Sequence, residues 1–253
     1  MKIQAKFKFS ILAVLLFSLG FTACRNNGGK SDSPYSKVTL RFENSVGNFK
    51  IKFGEMIYLN ASGNTYSVTL LKYYVSNFRL VRGDDSVFSF RKYLLVDAAD
   101  SSSWSITLDS IPNGVFKSLN FDIGVDSAHN HTLAQGGVLD SSKGMFLDEK
   151  SGYIFFKNEG NFKDAAGVSR PLNLQLGTDR ALTNVEIPLH GIQLDGGSAT
   201  MRIIFNLNEA YRNPTKMDFN KDGFHLFTDS SDISWITNMS ENLSKAFSLD
   251  RID

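Results

Sequence analysis

Lys37-Val38-Thr39-Leu40-Arg41-Phe42-Glu43 alternates without interruption between polar and apolar side chains. Successive residues of an extended strand point to opposite faces. Val38, Leu40 and Phe42 therefore share one face, and Lys37, Thr39, Arg41 and Glu43 the other. The same period of two returns in Leu119, Phe121, Ile123 and Val125, and in Val185, Ile187 and Leu189. These are half-buried strands. Residues 66–81, 87–96, 153–157 and 201–207 are rich in β-branched and aromatic residues and read as more deeply buried strands. Turn signals punctuate them: Arg82-Gly83-Asp84-Asp85, Pro112-Asn113-Gly114 and Asp195-Gly196-Gly197. Many strands with short turns predict an all-β sandwich. The 21 phenylalanines suit a thick aromatic core between two sheets.

Two stretches break this rhythm. Residues 126–151 form a long segment with few periodic apolar positions, and long segments of this kind in compact domains are usually functional. Near the C-terminus, Ile233, Ile236, Met239, Leu243 and Phe247 recur at helical spacing behind Ser230, Ser231 and Asp232 as capping candidates. This predicts one helix over residues 231–248, docked on the sandwich. No internal repeat is visible.

The N-terminus carries Lys2, Lys6 and Lys8, then an uncharged apolar run over residues 9–21, then Thr22, Ala23 and Cys24. This is the layout of an export signal with a small-residue cleavage site. The run falls short of the roughly 20 apolar residues of a spanning helix. Residues 1–23 are read as a bacterial lipoprotein signal and Cys24 as the acylated first residue of the mature chain. A plain secreted protein with unmodified Cys24 is the alternative. Cys24 is the only cysteine, so no internal disulfide can form in an oxidising compartment. Acylation would remove an exposed thiol and anchor the protein, at about 0.8 kcal/mol per buried methylene. Residues 24–35, rich in Asn, Gly, Ser and Lys, read as a flexible tether, and residues 36–253 as one domain.

Loss of Lys2, Lys6 and Lys8 from 27 basic residues leaves 24 against 26 acidic ones, a net charge of −2. No clustered basic face suggests a nucleic-acid partner. The expected location is the bacterial cell envelope, at the outer membrane or a periplasmic face. The expected partners are the membrane, through the lipid on Cys24, and a metal ion or an envelope protein.

Several phrases together resemble the MbnP-like family. They are residues 70–80 (Leu-Leu-Lys-Tyr-Tyr-Val-Ser-Asn-Phe-Arg-Leu), residues 121–126 (Phe-Asp-Ile-Gly-Val-Asp) with Asn130, Gly136 to Asp140, and Gly144-Met145. Residues 151–157 (Ser-Gly-Tyr-Ile-Phe-Phe-Lys), Glu159-Gly160 and Asn213-Pro214-Thr215 follow in the family's order. The likeness runs from about Val38 to Leu249. It implies an immunoglobulin-like β-sandwich and a binding role, with copper as the metal and no enzymatic activity. In copper-binding members the central motif runs Gly-Met-aromatic-Trp-x-Trp, and a tryptophan there can be oxidised to a kynurenine that helps bind copper. Here Leu147 and Glu149 stand at the two tryptophan positions. Gln175 stands where a later strand of the family has histidine. Copper prefers imidazole and sulfur donors, so the inherited site reads as lost or rebuilt.

The remaining donors are His129 and His131 on the long segment, Met145, His190 and His225. An i, i+2 histidine pair could chelate a metal, although two ligands make a weak site. Asp218-Phe219-Asn220-Lys221-Asp222-Gly223 matches the opening of a calcium loop, with Asp229 at the twelfth position, and raises calcium as a lesser alternative. The bland reading is an ordinary Asp/Asn/Gly-rich turn. No serine sits in a G-x-S-x-G setting, and acidic pairs such as Asp84-Asp85 and Asp148-Glu149 read as solvated turns. No catalytic residue is assigned. Trp104 and Trp235 read as packing residues.

Overall fold

The computed structural model describes residues 33–132, 135–226 and 232–253. Residues 1–23, read above as an export signal, Cys24 and nearly all of the segment read as a tether lie outside them. Fourteen strands are described. The first seven are β1 (Tyr35–Val46), β2 (Phe49–Lys50), β3 (Tyr58–Leu59), β4 (Thr65–Arg82), β5 (Val87–Asp97), β6 (Ser105–Pro112) and β7 (Gly114–Ile123). The rest are β8 (Phe146–Asp148), β9 (Gly152–Lys163), β10 (Ser169–Gly177), β11 (Thr183–Leu194), β12 (Gly197–Asn206), β13 (Phe224–His225) and β14 (Phe247–Ile252). The helices are α1 (Ser127–Asn130), α2 (Leu207–Ala210), α3 (Phe219–Asp222) and α4 (Ile233–Lys245).

The strands form a sandwich of two sheets. One runs β14-β12-β1, with β2 and β6 both on β1; the other runs β11-β7-β4-β9-β10-β13, with β3 and β5 on β4 and β8 on β9. The opening strand lies parallel to β12, from Ser36 opposite Gly197 to Ser45 opposite Asn206. The long strand β4 pairs β9 through its first half and β7 through its second.

The alternation in β1 reads out as expected. Val38, Leu40 and Phe42 are fully buried, whereas Lys37 is exposed and Thr39, Arg41 and Glu43 are half-buried. Phe42, Phe205 and Phe247 of the first sheet meet Tyr73, Phe121 and Phe156 of the second. Phe42 sits 5.4 Å from Phe121, Tyr73 5.0 Å from Phe205, and Phe121 5.3 Å from Phe247. Such pairs add about 0.5–1.5 kcal/mol each beyond their buried area. At Gly160 on β9, an added Cβ would lie 2.0 Å from the Ser67 carbonyl, so only glycine lets β9 approach β4 there.

Two expectations are corrected. β5 is deeply buried only at Leu94, Leu95 and Val96; residues 87–92 alternate between exposed and half-buried, and Tyr93 is half-buried. Phe88 and Phe90 cover one face of its first half, whereas Val87, Ser89 and Arg91 meet solvent on the other. The C-terminal helix ends at Lys245, and Phe247 opens β14, antiparallel to β12. Ser230 and Ser231 lie outside the described residues. Asp232 is the N-cap, its carboxylate accepting from the Trp235 N–H at 3.4 Å. Phe247 matches the helical period only because it follows Leu243 by four residues. Its ring instead reaches the inter-sheet core by way of a turn at Ala246, whose N–H bonds the Leu243 carbonyl. Helix α4 buries Trp235, Ile236, Met239 and Leu243. Its fully buried Asn242 side chain bonds the backbone of Ala210 and Thr215.

Candidate functional site

The segment after β7 is where chemistry-bearing side chains gather. Gly124 has φ +123°, and a Cβ there would stand 2.4 Å from the Phe155 ring, so glycine alone allows the chain to leave the sheet over that ring. Asp126 then opens α1. Its carbonyl accepts from His129 and Asn130 N–H groups at 3.0 and 2.8 Å. Its carboxylate makes no capping bond. Oδ1 meets His129 Nδ1 at 2.9 Å, and Oδ2 accepts a short bond from the Tyr93 hydroxyl of β5. Tyr93 also lies 2.8 Å from His129 Nδ1.

A second cluster forms around Asp179. Its Oδ1 accepts from Asn130 Nδ2 at 2.7 Å and faces His131 Nε2 at 3.2 Å. Its Oδ2 accepts from Ser127 at 2.8 Å. The other ring nitrogen of His131 lies 2.9 Å from the Glu149 carbonyl oxygen. Asn130 is fully buried, and its Oδ1 accepts from the Tyr153 N–H at 2.8 Å. It rests on Gly152, where an added Cβ would come 2.4 Å from that oxygen. Gln135 donates to the His129 and Thr132 carbonyls, and Tyr74 to the Val138 carbonyl. The segment, outside Leu133 and Ala134, which are not described, is therefore braced at many points.

Electrostatics follow from this geometry. Partial burial pushes the Asp126 carboxyl up, but the bonds from His129 and Tyr93 and the His129 charge outweigh it, leaving Asp126 below its ordinary value. At Asp179, burial likewise pushes up, and the Asn130 and Ser127 bonds with the His131 contact bring the carboxyl down. Burial, then the bond to Asp126 and that residue's charge, push the Tyr93 hydroxyl well up.

The donors read from the sequence are placed apart. His129 and His131 turn to different carboxylates, and both nitrogens of His131 are engaged. Met145 is fully buried in the core. Leu147 is exposed, as is Glu149, whose carbonyl serves His131. Gln175 donates to Asn173 at 3.3 Å. His190 is exposed at a positive φ on the bulge of β11. His225 bonds Asp232 at 2.6 Å and stacks on Trp235 at 4.4 Å. Trp104 donates to the Asp97 carbonyl at 2.8 Å. Both tryptophans thus have packing or bonding roles. Asp218 caps α3 by accepting from Asn220 N–H, and Asp222 accepts from Asp218 N–H. Those carboxylates turn back on their own backbone, and Asp229 lies outside the described residues. Among the described residues no group of three or more His, Cys, Asp or Glu side chains is arranged to hold a metal ion.

Sequence reading missed Tyr93 and Asp179. Each is isolated in its own strand or turn, with no local signal linking it to a histidine dozens of residues away.

Among curated proteins, none matches the chain in sequence. Among solved structures, its fold is similar to that of MbnP from Methylosinus trichosporium, with a TM-score of 0.50 and 14% identity over 74% of this chain and 80% of that one. At that identity the likeness concerns the fold alone. The family profile of MbnP matches residues 35–231, from the first residue of β1 to just before α4. With most of its length covered by that profile, the chain belongs to the MbnP family.

Proposed function

We propose that the protein is a lipid-anchored, extracytoplasmic binding protein whose rim, residues 126–151, meets an envelope partner without a copper ion and without catalysis. The observation that carries this reading is the pair of histidine–carboxylate contacts, His129 with Asp126 and His131 with Asp179. They fasten the imidazoles into the scaffold and leave a pre-organised polar surface, which lowers the ordering cost of a protein contact. Export and anchoring rest on the N-terminal signal pattern and Cys24. No described helix is long and apolar enough to cross a membrane.

Calorimetric titration of the mature protein in detergent with copper in each redox state tests the reading. The expected result is no sub-micromolar binding, together with partner capture from solubilised membranes that survives a chelator. Sub-micromolar copper binding lost in both His129→Ala and His131→Ala would overturn it.

A further inference from the structure

One end of the sandwich is built around the point where the chain enters the domain. The start of β1 lies there with the β4–β5, β6–β7 and β11–β12 turns, since Tyr35 pairs Pro112, Ser36 pairs Gly197, Gly114 pairs Leu194 and Arg82 pairs Phe116. Side chains knit these turns together. Asn113 donates through Nδ2 to the Ser33 carbonyl at 2.8 Å and through its N–H to the Pro34 carbonyl at 3.1 Å, and its Oδ1 accepts from the Ser36 hydroxyl at 2.9 Å. Ser36 Oγ in turn accepts from the Gly196 N–H at 3.0 Å. Arg82 donates to the Pro112 and Asn113 carbonyls at 3.1 and 2.6 Å, with its guanidinium 4.7 Å from the Phe88 ring centroid. The entering chain is therefore fastened to all three turns of this end.

Three apolar side chains stand out from it: Tyr35, Val87 and Val115 are 52, 52 and 47% exposed. Apolar residues scattered singly over a surface need no explanation, but these three open β1 and β5 and lie one residue into β7, all beside the point of entry. The Val115 carbonyl accepts from the Gly83 N–H of the β4–β5 turn at 3.4 Å. The charged residues here are Asp84, Asp85 and Asp195, with Arg82 turned onto carbonyls and Lys117 bonded to Asp85. They make no cationic patch for anionic headgroups. The rim stands elsewhere. Strand β7 runs 10 residues from Gly114 at this end to Ile123, a rise of about 30 Å. Asp126 follows its far end, and Asp179 precedes the start of β11, where Thr183 lies opposite Ile123.

Ser33 follows Cys24 by nine residues, and a stretch of that length spans at most about 32 Å even when fully extended. A lipid on Cys24 would thus hold this end, and not the rim, nearest the bilayer. A half-exposed tyrosine suits headgroup depth, where its ring meets apolar surroundings and its hydroxyl meets water. We infer that this end of the sandwich rests on a zwitterionic lipid surface, with Tyr35, Val87 and Val115 at headgroup depth and the rim turned away from the membrane. Resting on the anchoring at Cys24 proposed above, this orientation makes the rim's partner one that approaches from the side of the domain opposite the bilayer.

The test reconstitutes the mature lipoprotein in phosphatidylcholine vesicles that carry a nitroxide on the headgroup, and flotation of the protein with the vesicles reads anchoring separately from orientation. Single Val87→Cys, Val115→Cys and Lys143→Cys variants, the last at an exposed position of the rim, carry an environment-sensitive fluorophore, the Cys24 sulfur being blocked by its lipid. The expected result is a blue shift and nitroxide quenching of the labels at Val87 and Val115, and neither at Lys143. Combining Tyr35→Asp with Val115→Asp should abolish quenching of the label at Val87 while flotation persists. Floating protein whose three labels are quenched equally, or whose label at Lys143 is quenched most, overturns the orientation and leaves the anchoring standing. Protein that does not float overturns the anchoring, and the orientation with it.

Discussion

Asp126 and Asp179 show how much one carboxylate can organise. Each meets a histidine together with a neutral donor on a different element, Tyr93 from β5 or Asn130 from α1. Both carboxyls lie below their ordinary values in the folded protein, and an unfolded aspartate titrates near about 3.9. Their contribution to stability is therefore complete above that value and is lost as pH falls through the lowered folded values. Hydrogen exchange at residues 127–132, followed from neutral pH downward, should show rim protection constant to about pH 4 and falling below it. Asp179→Asn should weaken protection at neutral pH and flatten the acid limb. Exchange as protected in that variant as in the parent protein would refute the assignment. Asn130 sets the second expectation. Its replacement by alanine unpairs the Tyr153 N–H and removes the donor to Asp179, so denaturant unfolding should show a loss of about 1–3 kcal/mol. His131→Ala, at an exposed position, should stay within about 0.5 kcal/mol.

Among the elements, the C-terminal pair α4–β14 separates local periodicity from packing. Ile236, Met239 and Leu243 obey the helical period and are buried in α4, whereas Phe247 obeys it and sits in a strand. Four aromatic rings from both sheets surround it: Phe42, Tyr73, Phe121 and Phe205. Phe247→Ala should cost about 3–5 kcal/mol, as expected for a large ring removed from a closed core. A frayed terminal helix would instead lose less than about 1 kcal/mol on the same change, and equilibrium unfolding distinguishes the two. β5 teaches the converse lesson. Its run of apolar residues resembles a buried strand, yet Phe88, Phe90 and Tyr93 are only partly buried, packed against the core from one face.

For the molecule as a whole, the proposed lipid anchor at Cys24 would hold the domain close to a membrane. A flexible chain of about ten residues reaches on the order of 20 Å, so a protein acylated at Cys24 would work within one domain's breadth of the bilayer. Cys24→Ala should move the protein from the membrane fraction to the soluble fraction and abolish incorporation of labelled palmitate. Retention in membranes would disprove anchoring at that residue. Most of the fold was legible along the chain because alternation is local: Val38, Leu40 and Phe42 announce their face whatever they pack against. The proposed export signal before Cys24 is likewise a linear pattern, read from residues that lie outside the described ones. The parallel joining of β1 to β12 and the seating of Phe247 were not legible. Each depends on groups brought together from sequence positions far apart. The same holds for the rim, where His129 and His131 were visible but Tyr93 and Asp179 were not. Backbone periodicity is written residue by residue, whereas hydrogen-bond partners are chosen only when distant strands close on one another, and that choice turned an apparent chelating pair into two separate carboxylate contacts.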